Sequence, residues 1–188
     1  MKNQKSGKIS VSAKRTYSDL IDSLKELLAE KPFEKITTMD ICKNANVPRA
    51  TFYNHFNDKY DLLEYAWSCV EKQIILNIDS SSDNRTYTYQ FIYELLSFLE
   101  DNKNLVKKSI VTNNENIHYT QLKQIAKKII SDRIILYTFN ENLLNVDINL
   151  ISEFYANAIV YTIKEWLETG MKTSKEVMSN SLTELIHK

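Results

Sequence analysis

Arg49, Ala50, Thr51, Tyr53 and Asn54 place a guanidinium, two hydroxyls and a carboxamide around one small residue. That set suits recognition of a polar, anionic partner rather than turnover of a substrate. Arg and Asn offer paired hydrogen-bonding groups that match base edges, and an alanine methyl can meet only a thymine methyl or a sugar. Catalysis needs a nucleophile, an acid or base, or a metal constellation. His55, His118 and His187 fall in separate segments, without neighbouring Cys or paired carboxylates at ligand spacing. Two glycines in 188 residues leave almost nothing with which to build a phosphate-cradling loop. The expectation is a protein that is not an enzyme, with no cofactor and no metal.

The elements that must position these residues lie on either side of them. Thr37 or Thr38 can cap a short helix, with Asp40 completing an approximate capping box on Thr37 and with Met39, Ile41 and Cys42 supplying its apolar face. The run Asn44-Ala45-Asn46-Val47 ends it, since Ala45 is small enough for two helices to cross closely and Asn46 tolerates the left-handed conformation of a sharp turn. Pro48 suits the first position of a second helix running to about Phe56. Its spacing turns Val47, Thr51 or Phe52, and His55 or Phe56 inward, leaving Arg49, Ala50, Tyr53 and Asn54 outward. An exposed helix with Arg, Tyr and Asn near its start is what a reader of the DNA major groove should present. Lys59, at the start of the next helix and close to that reader, is expected to hold a phosphate.

The net charge is zero, but residues 1–59 carry eleven Lys or Arg against seven Asp or Glu, which leaves an acidic remainder. A mildly basic head on an acidic body fits a chain of which only the head meets phosphate.

Residues Val47 to Lys59, VPRATFYNHFNDK, with Thr38-Met39-Asp40-Ile41 before them and Asp61-Leu62-Leu63 after them, resemble the DNA-binding domain of the TetR family of transcriptional regulators. The resemblance covers about Arg15 to Tyr65, with Asn46 where many members carry Gly. It implies an all-α protein with an N-terminal three-helix helix-turn-helix domain and a C-terminal helical ligand-binding and dimerisation domain. It implies further that double-stranded DNA is bound by a homodimer at a palindromic operator. At the matching positions Arg49 meets guanine or phosphate, Tyr53 and His55 touch the backbone, and Thr38 and Lys59 hold neighbouring phosphates. Thr37, Ala50, Thr51 and Asn54 complete the expected DNA-binding set. The alternative for His55 is a histidine packed at the end of its helix. Repression is the commoner mode in the family; activation, or response to a protein co-regulator, is the alternative.

The remaining chain reads as helices with short connections. Residues 1–13 form a polar, basic stretch, either a flexible arm along DNA or an inert tail, and Lys14 to about Lys31 repeats Leu20, Ile21, Leu24, Leu27 and Leu28 at helical spacing. Phe33 and Ile36 should plug the core of a DNA-binding unit over 14–60. A fourth helix capped by Asn57 or Asp58 and running to about Ile78 opens the larger domain, 61–188, and the aperiodic Asp79 to Asn84 follows it. Because it starts beside the DNA and ends in the second domain, it is the expected lever between them. The aromatics Phe91, Tyr93, Phe98, Tyr119 and Tyr137 are either plain core or the lining of a cavity for a small apolar or aromatic effector.

Asn149 to Thr169, ended by Gly170, and Ser174 to Ile186 close the chain. Phe154, Ala158, Tyr161 and Trp166 crowd more apolar surface around the first of these than one internal face needs, which points to burial against a second copy. Trp166-Leu167 through Gly170, with Lys172, Ser174 and Glu176, resembles the C-terminal helix pair of the TetR subgroup that regulates dihydroxyacetone kinase operons; in the family such pairs form a four-helix dimer interface. Cys42 and Cys69 sit on apolar stripes, as buried free thiols or, less simply, as a redox switch. No membrane span and no signal peptide is spelled, so a cytoplasmic location is expected.

Overall fold

The computed structural model describes residues 11–103, 120–121, 123–128 and 147–187. All regular structure among them is helical: α1 (Val11–Glu30), a 3-10 turn (Phe33–Lys35), α2 (Thr38–Asn44), α3 (Arg49–His55), α4 (Lys59–Leu76), α5 (Asn84–Asp101), α6 (Ile148–Glu168) and α7 (Lys175–Ile186). Residues 120–121 and 123–128 are also helical. Packing divides the chain into two compact units between Val70 and Glu71, inside α4. Val11 to Ala13 belong to α1 rather than to a flexible arm, and residues 1–10 lie outside the described residues.

The N-terminal unit forms because the apolar stripes of four helices meet in one core. Leu20, Leu24, Leu27 and Leu28 of α1 are buried with Ile41 and Cys42 of α2, Phe52 and Phe56 around α3, and Leu62, Leu63 and Trp67 of α4. Phe33 and Ile36 are buried in the same core, as expected, with the Phe33 ring edge-on to Tyr60 of α4 at 5.2 Å. Truncating any of the large residues here to alanine costs about 2 to 5 kcal/mol, from lost transfer energy plus the cavity left behind. One polar bond crosses this apolar contact: the buried Ser23 hydroxyl donates to the Ile41 carbonyl at 2.9 Å.

Local chemistry sets the ends of α2. Thr37 is its N-cap, the Asp40 amide donating to the Thr37 hydroxyl at 3.1 Å and the Thr37 amide to the Asp40 carboxylate at 2.9 Å. Lys31 reaches the same carboxylate at 2.9 Å. These bonds, the Lys31 one foremost, hold the Asp40 carboxyl down at about 2. At the other end Asn46 adopts φ 51°, Val47 N–H donates to Cys42 O at 2.9 Å and Asn46 N–H to Lys43 O at 3.2 Å. This is a Schellman closure with asparagine in the left-handed position. Pro48 then caps α3 with extended backbone, φ −57° and ψ 139°, so the helix begins at Arg49 and not at the proline. Met39 departs from its expected place on the inner face of α2: it is 60% exposed, and Ile41 and Cys42 alone supply the buried side.

In the C-terminal unit α5 and α7 run antiparallel. Arg85 pairs with Glu184, Tyr93 Oη donates to Glu176 at 3.5 Å and Lys175 pairs with Glu100 at 3.1 Å. Gly170, at φ 83°, ends α6 by the same closure as Asn46 ends α2, with Met171 N–H on Trp166 O at 2.8 Å. Ser174 caps α7 through the Val177 amide. Glu153 of α6 is held by Lys123 and, at 3.0 Å, by Lys127, and these two ammonium groups draw its carboxyl down to about 2.

Candidate nucleic-acid interface

The seven residues of α3 divide as the spacing requires. Phe52 is fully buried and Thr51 half-buried, while Arg49, Ala50, Tyr53 and Asn54 are exposed. The Arg49 guanidinium carbon lies 5.9 Å from the centre of the Tyr53 ring, so the two side chains share one face of the helix. A shallow crevice lined by Met39, Cys42, Lys43, Asn46, Val47, Pro48 and Arg49 separates α2 from α3 on this surface. Thr37 is exposed and Thr38 half-buried at the start of α2. The surface therefore offers a cation, an amide, a phenol and hydroxyls on two helices joined by a rigid turn. Such a surface can place α3 in a major groove with α2 beside the backbone.

Two of the expected DNA contacts are engaged inside the unit. The Lys59 ammonium, expected as a phosphate ligand, donates to three backbone carbonyls, Phe33 O at 2.8 Å, Glu34 O at 3.1 Å and Ile36 O at 2.8 Å. It also sits 4.6 Å from the Phe33 ring centre. An ammonium has three protons. All three are used, and Lys59 acts as the clasp that holds the 3-10 turn against α4. Burial pushes this ammonium down from the ordinary lysine range, against the opposing pull of Glu34. His55 is half-buried, its Nδ1 3.3 Å from the Tyr17 hydroxyl and its ring edge-on to Tyr17 at 5.0 Å. The sequence reading did not single out Tyr17, which lies 38 residues away on α1.

Residues 86–188 match the family profile described as the C-terminal region of a transcriptional regulator, and residues 20–66 the one described as bacterial regulatory proteins of the tetR family. The chain belongs to the TetR family of transcriptional regulators. The tetR-profile match falls within its N-terminal unit and marks that unit as the helix-turn-helix of this DNA-binding, non-enzymatic family. In sequence it is similar to IcaR of Staphylococcus aureus, the negative regulator of the biofilm operon icaADBC, 29% identical over 86 residues. The match takes in 44% of this chain, which spans about half of that relative's length, 46%. In structure it resembles the dihydroxyacetone kinase operon activator DhaS, with a TM-score of 0.62 at 19% identity over 92% of this chain and 94% of that one. It also resembles Bacillus subtilis FadR, solved in complex with stearoyl-CoA, with a TM-score of 0.65 at 19% identity over 90% and 97%. These two likenesses concern the fold.

The C-terminal unit of this TetR-family chain holds an apolar cavity between α5, α6, α7 and residues 123–128, lined by Phe91, Ile92, Leu95, Ile125, Ile159 and Ile163 among others. Of the three expected aromatics among the described residues, Phe91 is part of that lining and Tyr93 and Phe98 are not. Tyr93 turns toward α7, stacked on Tyr89 at 6.0 Å with the Lys175 ammonium 5.2 Å from its ring. Phe98 is half-buried away from the lining, and Tyr119 and Tyr137 lie outside the described residues. Among the described residues the lining beside Phe91 is aliphatic, and its polar member is Thr88, whose hydroxyl lies 3.0 Å from His187 Nε2.

On α6 the expected dimer residues part company. Phe154 is 69% and Tyr161 56% exposed, with Ala158 exposed between them and Leu150 exposed one turn earlier. Trp166 is instead buried within the protomer, its indole N–H donating to Thr173 O at 2.6 Å, so it belongs to the core under the α6–α7 corner. Val177 and Leu185 of α7, not anticipated, are also exposed. No group of His, Cys, Asp and Glu that could hold a metal occurs among the described residues, and none of their helices is long and apolar enough to cross a membrane.

Proposed function

We propose that this regulator binds a palindromic operator as a homodimer, represses transcription from it and is released by a small apolar effector held in the cavity of its C-terminal unit. The observation that carries the reading is the outward face of α3, where Arg49 and Tyr53 stand side by side with Ala50 and Asn54 on a helix fixed from beneath by Phe52 and Phe56. Two copies of that face, one helical turn of DNA apart, read a site with matching two-fold symmetry. Thr37 and Thr38 serve neighbouring phosphates at the start of α2.

Pairing of the subunits uses the row Leu150, Phe154, Ala158 and Tyr161 of α6 together with Val177 and Leu185 of α7. A row of large apolar side chains left in water on adjoining helices is the mark of a surface that another protein covers. Repression is supported by the sequence likeness to a negative regulator. An effector with an aliphatic body is supported by the cavity wall, and the neighbour solved with an acyl-CoA is in keeping with it.

The test is selection of bound sequences from a random duplex library, followed by titration of the recovered complex with acyl-CoA thioesters of graded length. A palindrome bound by two chains, and released by one range of chain lengths, is the expected result. Enrichment of an asymmetric site bound by one chain would remove the dimer reading. Indifference of the complex to apolar ligands, with an undisturbed palindrome, would remove only the effector.

A further inference from the structure

We infer that Tyr17 is a positioning residue for DNA binding: its hydroxyl donates to His55 Nδ1 and so fixes the histidine tautomer whose Nε2–H is available to a DNA phosphate. The inference rests on the reading of His55 as a contact to the DNA backbone. A neutral imidazole has one N–H donor and one bare acceptor nitrogen, and a phosphate oxygen can be met only by the donor. Which nitrogen keeps the proton is set by the partner of the other. The partner of Nδ1 is the Tyr17 hydroxyl at 3.3 Å. A phenol is a good donor and a weak acceptor, because its lone pair is drawn into the ring. The stable arrangement is therefore O–H to Nδ1, which leaves the proton on Nε2.

Tyr17 is itself held in place. Its ring packs edge-on against His55 at 5.0 Å and Tyr65 at 5.1 Å, and tilted on Phe56 at 5.5 Å, so α3 with its C-cap and α4 both hold this residue of α1. Among the described residues no carboxylate or ammonium touches His55. The group facing it from α1 is the Tyr17 phenol. From α4 comes Tyr65, packed on Tyr17 and paired with Cys69, and burial followed by Cys69 pushes its phenol up to about 12, so it stays neutral across the working range.

Protonation supplies the test, because an imidazolium carries N–H on both nitrogens whatever Tyr17 does. Affinity for the selected duplex is measured at about pH 8 and about pH 5.5 for the full chain and for Tyr17→Phe, His55→Ala and the double variant. Tyr17→Phe is expected to weaken a dimer with two such contacts by about tenfold at the higher pH and to recover most of it at the lower. In the His55→Ala background it should add nothing. A loss of equal size at both pH values, or no loss at pH 8, overturns the role of Tyr17. An unchanged affinity of His55→Ala overturns the backbone contact on which it rests, so the two failures are distinct. A nitrogen-15 spectrum of the unaltered protein at pH 8, with His55 assigned by its loss in His55→Ala, gives a check independent of any Tyr17 variant. Nδ1 should be the unprotonated nitrogen, and a proton on it would overturn the inference.

Discussion

Replacing Lys59 by methionine separates a structural clasp from a phosphate ligand. The side chain keeps its length and apolar stem and loses three donors. Of the three carbonyls released, those of Phe33 and Ile36 are part-buried, at 2.8 Å each from the ammonium, while that of Glu34 is exposed and water can replace the lost bond. A charge-assisted bond to a part-buried carbonyl contributes about 1 to 1.5 kcal/mol, and the contact with the Phe33 ring about 0.5 kcal/mol more. The expected loss is therefore about 2 to 4 kcal/mol from the N-terminal unit. For a unit of this size that lowers the melting temperature by roughly 10 °C or more. The assay is thermal unfolding, paired with the salt dependence of operator affinity at a temperature where both proteins are folded. If Lys59 held a phosphate in each subunit, the slope of log affinity against log salt would flatten by about 1.8. The structure predicts an unchanged slope and a lower melting temperature; a flatter slope with unchanged melting would refute the clasp.

Three further outcomes follow from the same geometry. Asn46→Val forces a β-branched residue into φ 51° and should cost about 1 to 2 kcal/mol in denaturant unfolding, whereas Asn46→Gly should stay within a few tenths. Phe154→Glu or Tyr161→Glu should shift sedimentation from dimer to monomer with helix content kept, while Trp166→Glu, which buries a charge in the core, should instead lower stability. The Asp40 carboxyl is lowered from 3.8 to about 2 on folding, so its contribution is complete above about pH 4 and fades as pH falls toward 2. Acid titration of the helical signal should show this component in the unaltered chain and lose it in Asp40→Asn.

What could be read from the sequence was whatever depends on neighbours along the chain. The capping box of Thr37 and Asp40 and the left-handed Asn46 are local, because side chain and backbone partners lie within three to five residues. Helical period narrowed the inward positions to Thr51 or Phe52 and His55 or Phe56, and packing selected the two phenylalanines. Pro48 misplaced the start of α3 by one residue, since a proline serves equally as cap or as first helical position. Lys59 looked free because its acceptors lie 23 to 26 residues earlier, in a turn whose approach no spacing announces. Trp166 and Phe154 both belong to an apolar pattern around α6. Only the fold says that the corner at Gly170 brings Thr173 back over the indole while Phe154 is left in water. The cavity was sought among aromatics; Phe91 does line it, but beside aliphatic residues of distant elements, and nothing in one helix reports its distance from another.

Operator affinity of Arg49→Ala and Tyr53→Ala, measured with the selected duplex at physiological salt, tests most directly whether the outward face of α3 reads DNA. Each base contact contributes about 1 to 3 kcal/mol. The account predicts a fall in affinity of tenfold or more, with sedimentation and helix content unchanged. Affinity equal to that of the unaltered protein would contradict it.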